Sequence, residues 1–156
     1  VEPVLINSAL VSAQNRQRFY WANWEIEQPE DKGILLADIL EDEGEIQSEG
    51  WHEWWDKNKE FQIGKKYSQI ANENEKAITM TARQYSSWNG NFVKVVEFDV
   101  NKLQYRKLTP IECERLQTVP DNYTNHVSNT QRYKMLGNGW TVDVIAHTFK
   151  QGLKYE

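Results

Sequence analysis

A chain of 156 residues with 39% apolar and 26% charged side chains has the length and composition of one ordinary globular domain, or of one domain plus segments that belong to a neighbour, and shows no low-complexity tract. It contains no apolar run near the about 18–20 residues that cross a bilayer and no charged-then-apolar leader, so no membrane span or secretion is expected. The net charge of −5 excludes a simple basic coat for nucleic acid, and the single Cys113 and three scattered histidines (His52, His126, His147) give neither a disulfide nor zinc spacing, so no metal is expected.

In chain order, Val4-Leu5-Ile6 and the aromatic run Arg18–Trp24 read as two strands flanking the polar turn Gln14-Asn15-Arg16-Gln17-Arg18. Glu27–Gly33 is a polar connection, and Gly33–Leu40 a short helix or turn with one apolar side. From Glu49 to Gln62, Trp51, Trp54, Trp55 and Phe61 fall mostly at helical spacing among acids and lysines, which predicts an amphipathic helix with its tryptophans inward. Lys76–Thr81 and Phe92–Phe98 read as strands, with the polar, glycine-containing loop Arg83–Asn91 between them.

The sharpest local signal follows. Thr109 is placed to cap a helix, Pro110 to begin it and Glu112 to close a capping box, while Leu108 and Cys113 take the two positions of a hydrophobic staple. Cys113 thus has a structural job, with no neighbouring His or Lys to activate it. Near the end, Gly137-Asn138-Gly139 reads as a turn. Trp140, Val142, Ile145, Ala146 and Phe149 then recur at helical spacing, although Thr141–Ile145 would also tolerate a strand.

Three ordered blocks carry a resemblance. Gln14-x-Arg16-x-Arg18, then Arg106–Gln117 with Pro120-Asp121, then Gly137-Asn138-Gly139-Trp140 through Phe149 resemble the eighth, ninth and tenth motifs of the DNA (cytosine-5) methyltransferases, in wording close to bacterial and phage members and to the eukaryotic de novo branch. The resemblance spans essentially the whole chain. It implies an α/β (α+β) fold, a mixed target-recognition domain flanked by a terminal strand and helix of an S-adenosylmethionine-dependent methyltransferase sheet. It divides the chain into residues 1–24, the last strands of the catalytic domain; 25–105, the target-recognition domain; and 106–156, the closing helices with the cofactor-capping block. The sequence departs from the family by holding no Gly-rich cofactor loop, no Pro-Cys nucleophile and no Glu-Asn-Val. The expected chain is therefore inactive alone, the C-terminal portion or specificity subunit of a methyltransferase such as serves restriction-modification.

Methylating a cytosine requires flipping it out of the duplex, at a cost of a few kcal/mol. The resemblance assigns Arg18 to the O2 of the flipped base and Arg16 to ordering the site and nearby phosphates, both as supporting catalytic residues. An arginine fork suits this because it stays charged and binds in two directions. From spacing alone, Gln14, Arg16 and Arg18 read rather as a polar edge after a strand, with surface salt bridges to the acidic region; the two later blocks turn the reading toward DNA. Gln14, Arg16, Arg18, Thr79, Thr81, Arg83, Ser86 and Ser87 are the expected DNA contacts. Lys65, Lys66, Lys76 and Lys94 are candidates for phosphates, since residues 62–156 hold 13 bases against 9 acids, whereas residues 1–61 hold 5 against 14.

Asn138, Gly139 and Trp140 are implied to face S-adenosylmethionine. Implied partners are double-stranded DNA and an N-terminal catalytic half, with homodimerisation possible through the apolar face left when that half is absent. The implied setting is the cytoplasm of a bacterial or phage-infected cell, near the nucleoid. Two other readings stay open at this point: a non-catalytic DNA-binding or regulatory module, and a tryptophan-rich protein-interaction domain.

Overall fold

The computed structural model describes residues 1–62, 68–95 and 103–155. Strands β1 (Val4–Asn7) and β2 (Gln17–Tyr20) pair antiparallel, with Leu5 opposite Phe19 and Ile6 opposite Arg18. The predicted hairpin is present, and its second strand stops at Tyr20 rather than running to Trp24. Strands β3 (Ser68–Ala71), β4 (Gly90–Val95) and β5 (Gln104–Lys107) form a second sheet, in which β3 and β4 are parallel and β4 and β5 antiparallel. Within Gly33–Leu40, only Leu36–Asp38 forms a 3-10 turn.

Helix α1 (Glu49–Gln62) has the predicted bounds. Trp51 and Trp55 are buried and stacked, with centroids 5.5 Å apart, and Trp51 packs on Phe92 of β4 at 4.8 Å. These rings make a small aromatic core of their own. The main core joins Leu36, Met80, Val93 and Leu108 to Cys113 and Leu116, the inner side of helix α2 (Pro110–Leu116). Thr109 and Glu112 make the capping box in both directions, an arrangement worth about 1 kcal/mol. The buried Cys113 thiol is pushed well above its ordinary pKa by burial, then by the charges of Glu112 and Glu114; that is the reverse of an activated nucleophile.

Two expected elements are corrected. Lys76–Thr81 is not a strand: it makes one isolated parallel bridge, Ala77 to Gln14. Its backbone is satisfied by side-chain amides, because Asn91 bonds both the N–H and the C=O of Ile78, and Gln14 accepts from the Met80 N–H. Lys76 does not face phosphate either. Its ammonium donates to the carbonyls of Ala9, Ser12 and Ile34, fastening three segments together. Lys94 is exposed, whereas Lys65, Lys66 and Val96–Phe98 lie outside the described residues.

The second correction concerns Gly137 and Asn138, which close helix α3 (Asn129–Asn138) with Gly139 as its cap, rather than forming a free turn. Ser128 caps that helix and Gln131 stands three residues on, a start signal of the Ser-x-x-Gln kind. Helix α4 (Val142–Gly152) follows at once and packs inward through Val144, Thr148 and Gln151. The apolar stripe singled out by periodicity is mostly its other side: Val142 and Phe149 are exposed, as is Trp140 just before the helix. Among the described residues no helix is long and apolar enough to cross a membrane.

A buried carboxylate ties α2 to α3. Glu114 accepts from the N–H groups of Asn122 (2.6 Å) and Thr124 (2.8 Å), from the Thr124 hydroxyl (2.5 Å) and from Arg132 (3.0 Å). Burial alone would raise its pKa, but the hydrogen bonds from Thr124, Arg132 and Asn122 together hold it below the usual carboxylate value. A carboxyl depressed in the folded state contributes stability that is complete above its unfolded pKa of about 4.3 and is lost as pH falls through the folded value. Glu114→Gln is therefore expected to lose about 3 kcal/mol at neutral pH, because Arg132 is left without its charge partner, and to show a flatter decline in acid. Urea unfolding across pH 3–7 measures both.

Candidate functional site

The segment between β1 and β2 is drawn inward by polar side chains as well as by the apolar Val11 and Ala13. Arg16 is 5% exposed. One guanidinium nitrogen donates to the carbonyl of Met80 (2.7 Å), and another to those of Gly137 (3.0 Å) and Gly139 (2.9 Å). Its own N–H is held by Asn7 at 2.9 Å. A single fork thus joins the hairpin, the root of the Arg83–Asn91 loop and the end of α3. Burial, then the neighbouring charge of Arg18, lower its pKa from the ordinary arginine value.

Gln14 completes the same knot from within. Its amide donates to the carbonyl of Leu116 (2.8 Å) and to the Gln117 side chain (3.0 Å). Gln117 donates onward to the Leu136 carbonyl at 2.6 Å, and Thr141 donates to Gln117 at 3.0 Å. Gln14 is fully buried, so its expected place on a DNA face is corrected: every polar atom of its amide is engaged in the interior. Gln117 and Thr141 were not anticipated as site residues. Only the position of Gln117 at the end of the second sequence block hinted at it.

Gly137 permits this approach of chain to chain. A Cβ there would lie 2.2 Å from the carbonyl carbon of Thr81 and 2.3 Å from the nitrogen of Ala82, both backbone atoms. Helix α3 therefore ends in direct backbone contact with the segment entering the loop.

The outcome is an open recess of about 600 Å3. Arg16, Arg18, Phe19 and Trp21 line it from the hairpin side, and Asn138, Gly139, Trp140 and Phe149 from the α3–α4 side. Arg18 is exposed, and its guanidinium bonds the neighbouring Gln17 carbonyl at 2.7 Å. Phe19, Trp21, Trp140 and Phe149 are each more than half exposed, an unusual concentration of rings open to water. Burial raises the pKa of Tyr20 between them, although the charges of Arg16 and Arg18 pull it down.

The two expected groups, Arg16 with Arg18 and Asn138 with Gly139 and Trp140, thus share one cavity. Of the expected DNA contacts, Thr79, Thr81, Arg83, Ser86 and Ser87 lie outside its lining. Thr79 turns its hydroxyl onto the Asn15 carbonyl at 2.5 Å, and Thr81 accepts from the Arg83 N–H at 3.3 Å. Arg83 and Ser87 are exposed, and Ser86 is half-buried.

A model of the C-5 cytosine-specific DNA methylases matches residues 4–154. The chain is 31% identical over 116 residues to the type II methyltransferase M1.ScrFI of Lactococcus lactis subsp. cremoris, covering 72% of this chain and 28% of that protein. It is 30% identical over 146 residues to M.NlaX of Neisseria lactamica, covering 85% and 45%. Among solved structures it is similar to the S. pombe Dnmt2 methyltransferase, with a TM-score of 0.71 at 17% identity over 98% of this chain and 57% of that one. The Entamoeba histolytica methyltransferase EhMeth gives 0.70 at 17%, over 99% and 53%. At that identity the structures speak for fold alone. The chain spans less than half the length of these two curated relatives.

Proposed function

The chain belongs to the C-5 cytosine-specific DNA methylase family, and from that premise we propose that it is the DNA-reading and cofactor-facing portion of such an enzyme, with the nucleophile supplied by a separate catalytic portion. One observation carries this reading most: Arg16 bonds the Gly137 and Gly139 carbonyls, so the end of α3 expected to face cofactor and the arginines expected to hold the base are built as one piece. The sequence's one cysteine, Cys113, is buried and follows Glu112 rather than proline.

In this reading Arg18, exposed beside the recess, donates to the O2 of a flipped cytosine, while Arg16 stays inside and holds the two walls at fixed spacing. A guanidinium fork serves the task because its planar set of N–H donors meets a carbonyl in a fixed geometry. S-adenosylmethionine, when bound, supplies the methyl group. The residues present fit one side of such a molecule: the exposed Asn138 amide, the main chain at Gly139 and the open ring of Trp140. The exposed rings of Phe19, Trp21, Trp140 and Phe149 support docking of the catalytic portion across the recess, because so much open apolar surface is unusual on a finished monomer. The same 1–24, 25–105 and 106–156 division serves this scheme: two flanking segments that complete the catalytic unit, and a reading region between them.

The Arg83 loop is the proposed reading element, with Arg83 reaching guanine in the major groove and Thr79, Thr81, Ser86 and Ser87 assisting. Fluorescence anisotropy with labelled duplexes of varied sequence tests this. Duplex binding that weakens with salt, with a sequence preference that Arg83→Ala reduces about tenfold, is the expected result. Absence of duplex binding at low salt would contradict the reading and favour a protein-interaction role.

A further inference from the structure

The loop Arg83–Asn89, which enters β4 at Gly90, lacks regular structure, yet its backbone is held from nearly every side. Gln84, alone among its first residues, is fully buried. Its amide accepts from the Asn91 N–H at 3.1 Å and donates to the Asn91 carbonyl at 3.1 Å. The Asn91 side chain in turn bonds Ile78 on the incoming arm, donating to its carbonyl at 3.0 Å and accepting from its N–H at 2.9 Å. Gly90 sits at φ +107, and a Cβ there would lie 2.2 Å from the Gln84 side-chain oxygen. Only glycine both adopts this backbone easily and leaves room for the amide.

Three scaffold side chains take the carbonyls of the loop itself. Lys107 donates to Tyr85 (2.5 Å), the Trp51 indole to Ser87 (2.6 Å) and the Ser68 hydroxyl to Trp88 (2.6 Å). Each of these fastenings ends on main chain, so Arg83, Tyr85 and Ser87 keep their side chains at the surface. Lys134 of α3 lies over the Tyr85 ring, 5.2 Å from its centre.

We propose that Gln84 and Asn91 are positioning residues that preform the loop as a reading head before DNA arrives. The proposal rests on the DNA-reading role given above. A flexible loop would have to be ordered on binding, and that cost would fall on cognate and non-cognate sequences alike. With the backbone already fixed, a side chain that meets the wrong base edge cannot escape by rearrangement, so mismatches weaken binding more. Gln84 therefore governs discrimination, while overall affinity for the phosphate backbone is left to exposed cations.

Gln84→Leu, which keeps the buried volume, and Gly90→Ala, which displaces the amide, attack the clamp from two sides. Amide hydrogen exchange on the free chain reports the loop itself: both variants are expected to speed exchange at Ser86 and Asn91 at least about tenfold while α4 amides are unchanged. Anisotropy with a preferred and a scrambled duplex is expected to show discrimination falling about tenfold, with affinity for the scrambled duplex within about twofold. Unchanged exchange would overturn the clamp. Faster exchange with discrimination intact would overturn its role in reading. Equal weakening on both duplexes, together with a lower melting temperature, would reduce it to a general structural role. If the unaltered chain shows no duplex binding, the DNA-reading role fails and the proposal falls with it, whereas the exchange data still report the clamp.

Discussion

Gly137→Ala is expected to destabilise the chain by at least about 3 kcal/mol, the upper end of what overpacking costs, and to leave little folded protein at 37 °C. The added methyl would meet the Thr81 carbonyl carbon at 2.2 Å and the Ala82 nitrogen at 2.3 Å. Backbone cannot rotate aside as a side chain can, so either α3 must shift or the loop entry must open. Both also carry the carbonyls that hold Arg16. Gly50, in the first turn of α1, is the control: a Cβ there meets nothing within 4 Å, and Gly50→Ala is expected to raise stability by up to about 1 kcal/mol through helix propensity alone. Urea unfolding of both variants decides the matter; equal stability of Gly137→Ala and the unaltered chain would mean that the contact between α3 and Thr81 is wrong.

The two arginines of the first sequence block are expected to fail in opposite ways. Arg16→Ala strands the Met80 and Gly137 carbonyls in the interior, and the Gly139 carbonyl keeps only a 3.3 Å bond from Gln117. A loss of about 3–5 kcal/mol follows from removing a buried charged donor with several acceptors. Arg16→Lys recovers part of this, because an ammonium cannot span the acceptors as a fork does. Arg18→Ala touches an exposed side chain and is expected to change stability by no more than about 0.5 kcal/mol. In the enzyme assembled with its catalytic portion, however, it is expected to lower methyl transfer at least about a hundredfold, as removal of a donor aimed at a reacting carbonyl does. Thermal melting and turnover measured side by side separate the two. Equal destabilisation by both substitutions would refute the division of labour.

What the sequence disclosed and what it hid divide along a physical line. Local signals were legible: the capping box at Thr109 and the tryptophan spacing of α1 follow from residues a turn or two apart, and the two strands around Arg16 from one short hairpin. Motif order also placed Arg18 and Trp140 among the candidate residues, and both line the recess. Hidden from sequence were polar side chains bonded to distant backbone. Gln14, Lys76, Gln84 and Asn91 look like surface residues by type, yet they supply the bonds that hold the Lys76–Met80 segment and the loop after it. No periodicity marks a buried amide, because its partner is main chain outside its own element, 7 residues away for Gln84 and 102 for Gln14. Helix α4 shows a related difficulty: its apolar stripe was visible, but whether Phe149 faces core or opening depends on what it meets. Helix α3 was missed although Ser128 and Gln131 spelled its start.

The central claim, that this chain chooses and holds the base while another portion performs the attack, is tested most directly by methyl transfer from labelled S-adenosylmethionine to duplex DNA. The assay compares the chain alone, the catalytic portion bearing the Pro-Cys nucleophile alone, and the two mixed. Activity from the mixture only, abolished by Arg18→Ala in this chain, is the predicted result. Transfer by this chain alone, or by the catalytic portion equally well without it, would contradict the account.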